Sequence, residues 1–444
     1  MCLGIVDNHF AFRGQSVTLR GIGVGSWLNL EHFMVGLPGL DGMLRAALDA
    51  ACPGTMDAFD DSFFTDADAA YLRSLGVNLI RVPFSYRLVW DEATGRPCPE
   101  GLAKLRRLAD ICDRHGLFYL PDLHTAPGGQ NPDWHSECET GVPLFWRHRA
   151  LRAQTAEVWR AVAEALKDSE YLAGYDLLNE PVPPEGGVDA LNEFHRMAAR
   201  AIREVDESHL LFVEGCRFSM DFRGVTLPDP GRSAYTYHFY PAVWEEALAD
   251  PALPEDERRS GFRRAHDAIL STFDGDPGPL LCGETGFELQ TLGDEAGLGM
   301  LEAVVDTIEA VGAGWCLWSY KDTGMMGLRS PAPGSAWREL ADDVSRSWNH
   351  HLDMRRGDDL ARRISESWFG GVLSPSERYA MQFRLRAALF MPEVEHVLKP
   401  ALARMSPERL AQLGGDFALE RCPARPGYER LLRRRCGAAF TETL

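Results

Sequence analysis

The sequence lacks several features that would place the chain in other classes of protein. Its ten cysteines are scattered singly without a C-x-x-C pair, so their spacing argues against a zinc site. It contains no run of about 18 apolar residues, which argues against a transmembrane helix. The N-terminus has neither a basic segment nor a sustained apolar stretch. We therefore expect a cytoplasmic protein, although a secreted protein whose leader has been removed would show the same N-terminus.

Positive charge is scarce relative to negative charge. Lysine and arginine number 46 against 65 aspartates and glutamates, which gives a net charge of -19. This balance argues against nucleic acid as a partner and favours a soluble protein that binds neutral or cationic ligands. With 444 residues, 45% of them hydrophobic, the chain has room for one α/β barrel of roughly 250 to 350 residues and an appendage.

Strand-like and helix-like segments alternate through most of the chain. Eight segments are predicted as strands: Leu19–Leu28, Val77–Phe84, Leu117–His124, Leu172–Glu180, Leu210–Glu214, Ala234–Tyr240, Leu280–Gly286 and Gly314–Tyr320. Amphipathic segments that predict helices lie between most of them: Phe64–Leu75, Gly101–His115, Phe145–Lys167, Leu191–Val205, Phe262–Thr272 and Ala296–Val311. This alternation predicts an α/β fold, a (β/α)8 TIM barrel, over residues 1–345.

A doubly wound open sheet is the alternative fold. Such sheets usually carry a glycine-rich phosphate-binding turn after the first strand. Here the glycines of G-I-G-V-G-S-W begin at Gly21, inside the predicted strand itself, and no acidic residue follows the second strand at the expected place. We interpret these glycines as sites of close packing in a barrel.

Two long insertions and a tail depart from the alternation. Residues 31–61 follow the first strand and residues 125–142 follow the third, so both should border the mouth of the barrel. From Asp358 to Trp368 and from Ser376 to Met391, Arg, Leu and Ala recur at helical spacing, which predicts a C-terminal helical extension over residues 346–444. Its apolar side chains must pack on the barrel or on a second subunit, so homo-oligomerisation stays open; they are Trp368, Phe369, Phe383 and Phe390.

The stretch Y-L-A-G-Y-D-L-L-N-E-P, which begins at Tyr171, ends an apolar run in an unusual way. Its last three residues are Asn179, Glu180 and Pro181. Proline cannot donate to a sheet ladder, so Pro181 should stop the strand and leave Glu180 at its carboxyl end. Barrel enzymes display catalytic side chains at that end, and Glu180 is therefore a candidate general acid. An ordinary turn is the alternative interpretation.

Polar residues end the other predicted strands in the same way. They are Arg81 on the second, His124 on the third, His238 and Tyr240 on the sixth, Glu284 on the seventh and Trp318 on the eighth. Each alone has an ordinary explanation as a surface, core or packing residue. Because the carboxyl ends of barrel strands meet at one pole, we expect these residues to form one site.

Two glutamates on opposite sides of a barrel mouth suit glycoside hydrolysis with retention of configuration. That reaction needs carboxyl groups about 5 to 5.5 Å apart, one as nucleophile and one as acid and base. Strands four and seven would place Glu180 and Glu284 face to face. Arg81 and Tyr240 would hold the charge of the nucleophile. Neither a metal nor another cofactor is required by this chemistry.

The same residues resemble glycoside hydrolase family 5 between about Val17 and Lys321. The matching motifs are N-L-I-R-V-P-F, D-L-H, L-L-N-E-P, H-F-Y, G-E-T-G and L-W-S-Y. The resemblance implies that Glu180 is the acid/base and Glu284 the nucleophile. It also implies that the remaining positions bind a carbohydrate substrate, namely Arg81, His124, Asn179, His238, Tyr240 and Trp318.

Two segments are similar to exo-acting β-1,3-glucanases and β-glucosidases within that family. They are R-G-I-G-V-G-S-W-L-N-L-E-H-F and D-L-H-T-A-P-G-G-Q-N. Glu31 and Asn131 then become candidates for binding the hydroxyls of the terminal sugar, with unliganded loop residues as the alternative. We expect a retaining, exo-acting enzyme on β-glucosides or short β-glucans. The alternatives are another substrate (a β-mannoside, β-1,4-glucan, glycosylated lipid or natural product), transglycosylation, or a non-enzymatic carbohydrate-binding barrel.

Overall fold

Eight parallel strands close into a barrel in a computed structural model that describes residues 2–437. The strands are β1 (Arg20–Gly23), β2 (Leu79–Ser85), β3 (Phe118–Thr125), β4 (Gly174–Asp176), β5 (Leu210–Glu214), β6 (Ser233–His238), β7 (Leu280–Thr285) and β8 (Gly314–Leu317). Each pairs with its neighbours in chain order, and β8 closes on β1. The predicted TIM barrel is confirmed.

Several strands end earlier than the apolar pattern predicted, because neighbouring strands separate at the mouth. β4 ends at Asp176, although the apolar run continues to Leu178. Beyond it, the backbone N–H of Leu177 donates to Phe212, whereas that of Asn179 donates to Leu123. The chain therefore contacts both flanking strands in turn, and this irregular segment carries site residues toward the barrel axis.

The helices follow the predicted alternation, with extra turns in the insertions. The main helices are α1 (Asp41–Ala51), α2 (Thr55–Phe63), α3 (Asp66–Ser74), α4 (Pro99–His115), α5 (Arg149–Leu166), α6 (Val188–Arg203), α7 (Glu255–Leu270), α8 (Asp294–Glu309), α9 (Ala336–Val344), α10 (His350–Phe369), α11 (Pro375–Glu393), α12 (Lys399–Arg404) and α13 (Pro426–Cys436). The first insertion thus contains a short helix, His32–Val35, together with α1 and most of α2. No helix among the described residues is long and apolar enough to span a bilayer.

A three-stranded antiparallel sheet closes the end of the barrel opposite the mouth. Its strands are Gly4–Val6, His9–Phe12 and Gln15–Ser16. Leu3 and Phe10 from this segment pack with the inward-facing residues Leu19, Leu79 and Leu120. Burying each such side chain stabilises the fold by roughly 1.5 to 3 kcal/mol. This end of the barrel is therefore filled by apolar side chains.

The C-terminal region is helical, as predicted, and α11 packs one face on the mouth of the barrel. Phe383, Arg386 and Phe390 recur at helical spacing on that face and are buried. Trp368 and Phe369, by contrast, are exposed at the far end of α10. The proposed division at residue 345 stays a prediction, and residues 438–444 of the predicted extension lie outside the described residues.

Candidate active site

The carboxyl ends of the strands bring all ten predicted site residues to the mouth of the barrel. The loop after β1 carries Glu31, and the loop after β3 carries Asn131. The others lie in or just after strands, namely Arg81, His124, Asn179, Glu180, His238, Tyr240, Glu284 and Trp318. All are buried or nearly so. The strand-end pattern in the sequence therefore identified one contiguous site.

Glu180 and Glu284 face each other across His238. The imidazole Nδ1 of His238 lies 2.8 Å from Oε1 of Glu180 and 3.6 Å from Oε2 of Glu284. One oxygen of each glutamate lies within 4.8 Å of the other and of the histidine nitrogen. Two carboxyl groups this close match a retaining glycosidase, because an inverting pair stands about 6.5 to 9.5 Å apart to admit water.

Two donors hold the carboxylate of Glu284. Arg81 donates from Nη1 at 2.5 Å, and the Tyr240 hydroxyl donates to the other oxygen at 2.9 Å. Burial raises the pKa of Glu284, and the charge of Glu180 acts in the same direction, against His238 and Arg81. The ionised form that a nucleophile requires therefore depends on these two donors and on His238.

Glu180 is held on both of its carboxylate oxygens by histidines. Oε1 faces His238, and Oε2 lies 2.9 Å from Nε2 of His135. Burial alone would raise the pKa of Glu180, but the bonds from His135 and His238 outweigh it and lower the pKa. The two histidines therefore stabilise the charged form of Glu180. His135, in the long loop after β3, was not selected from the sequence.

The backbone of Glu180 is also constrained. Its φ angle of 48° lies in the left-handed region, which is uncommon for a residue other than glycine. Its N–H donates to Oε2 of Glu214 at 2.6 Å, and its carbonyl accepts from the Asn131 amide at 3.0 Å. The same amide lies 2.9 Å from His135. Asn131, predicted as a sugar ligand, is thus placed behind Glu180, where it orients the loop.

A fully buried guanidinium, that of Arg81, organises the floor of the site. Besides Glu284, it contacts Asp176 at 2.8 Å, Glu214 at 2.9 Å and Asp122 at 3.0 Å. These three acids lie close enough together to hold a metal ion, but the guanidinium lies among them and provides the countercharge. Burial and the charge of Glu214 raise the pKa of Asp176 well above its ordinary value.

These three acids were not selected from the sequence, although a signal was present. Asp122 and Asp176 interrupt the apolar runs P-D-L-H and G-Y-D-L-L, and Glu214 ends the run L-F-V-E. A carboxylate inside a buried strand requires a cationic or hydrogen-bonding partner. Such a carboxylate therefore predicts a partner, but its identity depends on which strands become neighbours.

Another side of the site is lined by His124, Glu31 and Trp318. Nδ1 of His124 lies 2.6 Å from Asp122, and Nε2 lies 3.5 Å from Glu31. Burial lowers the pKa of His124, but Asp122 and Glu31 raise it to about 10. Its ring stacks on the indole of Trp318 with centroids 5.9 Å apart. The site thus pairs a polar edge with a flat aromatic surface.

The glycines of the first strand make room for the Trp318 indole. A β-carbon at Gly23 or Gly25 would overlap the indole ring. The segment G-I-G-V-G therefore packs against an aromatic side chain, which agrees with its interpretation as a packing motif in a barrel.

Several buried polar atoms at the mouth have no hydrogen-bond partner among the described residues. They include Nδ2 of Asn179 and Oε1 of Glu31, which lies 3.5 Å from Nε2 of His124. Buried polar groups are normally paired, so an unpaired donor and acceptor beside the two glutamates point to hydroxyls of a ligand. A separate cavity of about 490 Å³ at the opposite end of the barrel contains none of the ten residues in its lining.

Comparison with known proteins identifies one family and several relatives of this chain. The model of the cellulase family, glycosyl hydrolase family 5, matches residues 52–324. A β-xylosidase of Phanerodontia chrysosporium is 34% identical over 369 residues, which cover 79% of this chain and 77% of that protein. A probable glucan 1,3-β-glucosidase A of Aspergillus terreus is 25% identical over 390 residues, covering 75% and 88% respectively.

Solved structures share the fold at lower identity. The endoglucanase Cel5A of Pseudomonas stutzeri, in complex with cellobiose, superposes with a TM-score of 0.52 at 18% identity and covers 75% of this chain and 92% of its own. Cel5A of Thermotoga maritima, also with cellobiose, gives a TM-score of 0.52 at 15% identity, with coverage of 70% and 92%. At these identities the likeness supports the barrel alone.

Proposed function

The chain belongs to glycosyl hydrolase family 5 and acts on β-glycosides, and we propose that it is an exo-acting, retaining β-glucosidase. The short separation of Glu180 and Glu284 carries this proposal. Glu284 attacks the anomeric carbon and forms a glycosyl-enzyme, while Glu180 protonates the departing oxygen. Glu180 then accepts a proton from the water that releases the sugar.

The neighbours of each glutamate suit its proposed role. As Glu284 loses its charge to the covalent bond, Arg81 keeps three other carboxylates as partners and stays in place. The two histidines on Glu180 lie within hydrogen-bonding distance of its carboxylate and would stabilise the charge that remains once Glu180 has given up its proton. Asn179 offers its unpaired amide hydrogen to a sugar hydroxyl, a contact of the kind that strengthens in the transition state.

A blocked end of the cleft supports exo action. Next to Glu31, the buried ring of His32 lies 4.7 Å from Trp134 and 6.0 Å from Phe390 of α11, between ring centroids. The Arg386 guanidinium covers Trp134 at 3.9 Å from the ring centroid. A longer sugar chain passing Glu31 would have to displace this cluster, so the site favours a terminal sugar.

The identity of the terminal sugar has two candidates. Similarity of the first-strand segment to β-glucosidases favours a glucoside, whereas the relative at 34% identity is a β-xylosidase. A xyloside lacks the hydroxymethyl group of a glucoside. The unpaired oxygen of Glu31 is available to either sugar.

A panel of 4-nitrophenyl β-glycosides (glucoside, xyloside, mannoside, galactoside and fucoside) tests the sugar. We expect the glucoside to have the highest kcat/KM and Glu284→Gln to be inactive on every member. A faster xyloside would keep the mechanism and replace the sugar. Internal cleavage of a long β-glucan, with no turnover of the panel, would contradict exo action.

His135→Asn is expected to shift the pH dependence of the reaction. Removing the cation 2.9 Å from Glu180 raises the pKa of that carboxyl. A general acid must be protonated, so the alkaline limb of kcat/KM should move up by about one pH unit. His115→Asn is the matched control, because His115 also contacts a carboxylate, that of Asp66, far from the site. An unmoved or lowered limb in His135→Asn would contradict the assignment.

Compartment and oligomeric state remain proposals. All ten cysteines lie within the described residues and are free, which suits a reducing cytoplasm. The C-terminal extension exposes Trp368, Phe369 and Val372, and we propose this apolar tip as the site of any self-association through the C-terminal helices.

A further inference from the structure

Two aromatic side chains stand on the side of the mouth where Glu180 lies. Phe218 follows β5, and Trp244 lies in the segment after β6, with ring centroids 6.3 Å apart. The Phe218 ring is also 6.4 Å from that of His135, which contacts Glu180. Trp244 is 53% exposed. A large, half-open aromatic surface thus continues outward from the carboxylate proposed as the acid.

An unusual backbone holds Phe218 in this position. Arg217, Phe218 and Ser219 have φ angles of 55°, 57° and 62°, so three successive residues other than glycine are left-handed. Such a conformation is costly for a bulky side chain and persists only where the surroundings impose it. Here the Ser219 hydroxyl donates to Glu214, whose carboxylate also accepts the backbone N–H of Glu180. The phenyl ring and the acid are therefore positioned by the same carboxylate.

We propose that Phe218 and Trp244 form a leaving-group site for an apolar aglycone rather than for a second sugar. This inference rests on the proposed function, because the group that Glu180 protonates must lie on the side of Glu180. A sugar there would need donors and acceptors for its hydroxyls. Of the polar groups beside Glu180, the amide nitrogen of Asn131 already donates to the backbone carbonyl of Glu180, and Nε2 of His135 already contacts the Glu180 carboxylate. Aromatic rings with free faces instead favour an alkyl or aryl alcohol.

The test compares n-hexyl and methyl β-glycosides of the best sugar from the panel. Both leaving groups are simple primary alcohols, so their chemical reactivity is similar and the difference reports binding of five methylenes. We expect kcat/KM to be at least about tenfold higher for the hexyl glycoside, mainly through KM. Phe218→Ala and Trp244→Ala should each reduce this ratio to within about threefold of unity. Trp368→Ala should leave the hexyl-to-methyl ratio unchanged. It removes a tryptophan that is 80% exposed at the tip of the extension.

Three results would overturn the proposal. The first is a hexyl-to-methyl ratio of kcat/KM near one in wild type, and the second is an undiminished ratio in both aromatic variants. The third is a β-linked disaccharide whose kcat/KM exceeds that of the hexyl glycoside and decreases most in Trp244→Ala. Calorimetric binding of the two alkyl glycosides to Glu284→Gln separates this proposal from the proposed function. Preferential binding of the hexyl compound would support the aglycone site even if no glycoside is hydrolysed, and equal binding would reject it.

Discussion

Glu284→Gly is expected to lower hydrolysis of aryl β-glucosides by at least about 10⁴-fold, and sodium azide is expected to restore turnover. The substitution removes the carboxylate between Arg81 and Tyr240 and leaves a space that still has two donors. A small anion can occupy that space. It would attack the anomeric carbon from the face that Glu284 uses, in one displacement, and give the α-glycosyl azide.

The stereochemistry of the rescued product makes this prediction specific. A β-glycosyl azide would mean that azide had replaced water after an intact first step, and so that Glu284 is not the nucleophile. Glu288→Gly is the matched control, because Glu288 lies shortly after β7 and its carboxylate faces His351, at 3.2 Å, rather than the site. We expect near wild-type hydrolysis and no azide product from the control.

Glu180→Ala is expected to have an effect that depends on the leaving group. Loss of a general acid should lower kcat/KM for alkyl glucosides by about 10² to 10⁴-fold. A 2,4-dinitrophenyl glucoside leaves without protonation, so its first step should change by less than about tenfold. The alkaline limb of the pH profile should disappear in the same variant, since it reports ionisation of the acid.

A uniform loss would assign Glu180 a different role. Equal decreases for both substrates, with the alkaline limb retained, would mean that Glu180 only positions the substrate. Because the substitution also leaves His135 and His238 without their shared carboxylate, thermal unfolding must accompany the kinetics. Glu193→Ala on α6 controls for loss of an ordinary ion pair, because Glu193 pairs with Arg149 at the surface and with the buried Arg152.

The barrel and the strand-end residues could be predicted because both follow from short-range patterns. Eight apolar runs separated by amphipathic helices define the closed sheet, and Pro181 marks the end of the fourth run. Once the sheet closes, every residue at a carboxyl end lies at the mouth, whatever the loops do. Predicting that Glu180 and Glu284 lie together therefore required only the order of the strands.

The surroundings of those residues could not be predicted in the same way. His135 lies within a long loop whose path depends on Asn131 and on Arg386, more than two hundred residues later in the chain. Phe218 reaches the mouth only through a left-handed turn that no local pattern indicates. The C-terminal helices were predicted, but their contact with His32 and Trp134 depends on tertiary packing.

Trapping of the glycosyl-enzyme tests the central claim most directly. Wild-type protein is incubated with the 2-deoxy-2-fluoro-β-glycosyl fluoride of the sugar that the panel identifies, and the intact protein and its peptides are weighed by mass spectrometry. The account predicts a gain of one fluoroglycosyl group, located on Glu284, and none in Glu284→Gln. A label on another carboxylate would contradict the account. Turnover of the compound by active enzyme with release of the α-sugar, and without accumulation of an adduct, would contradict it as well.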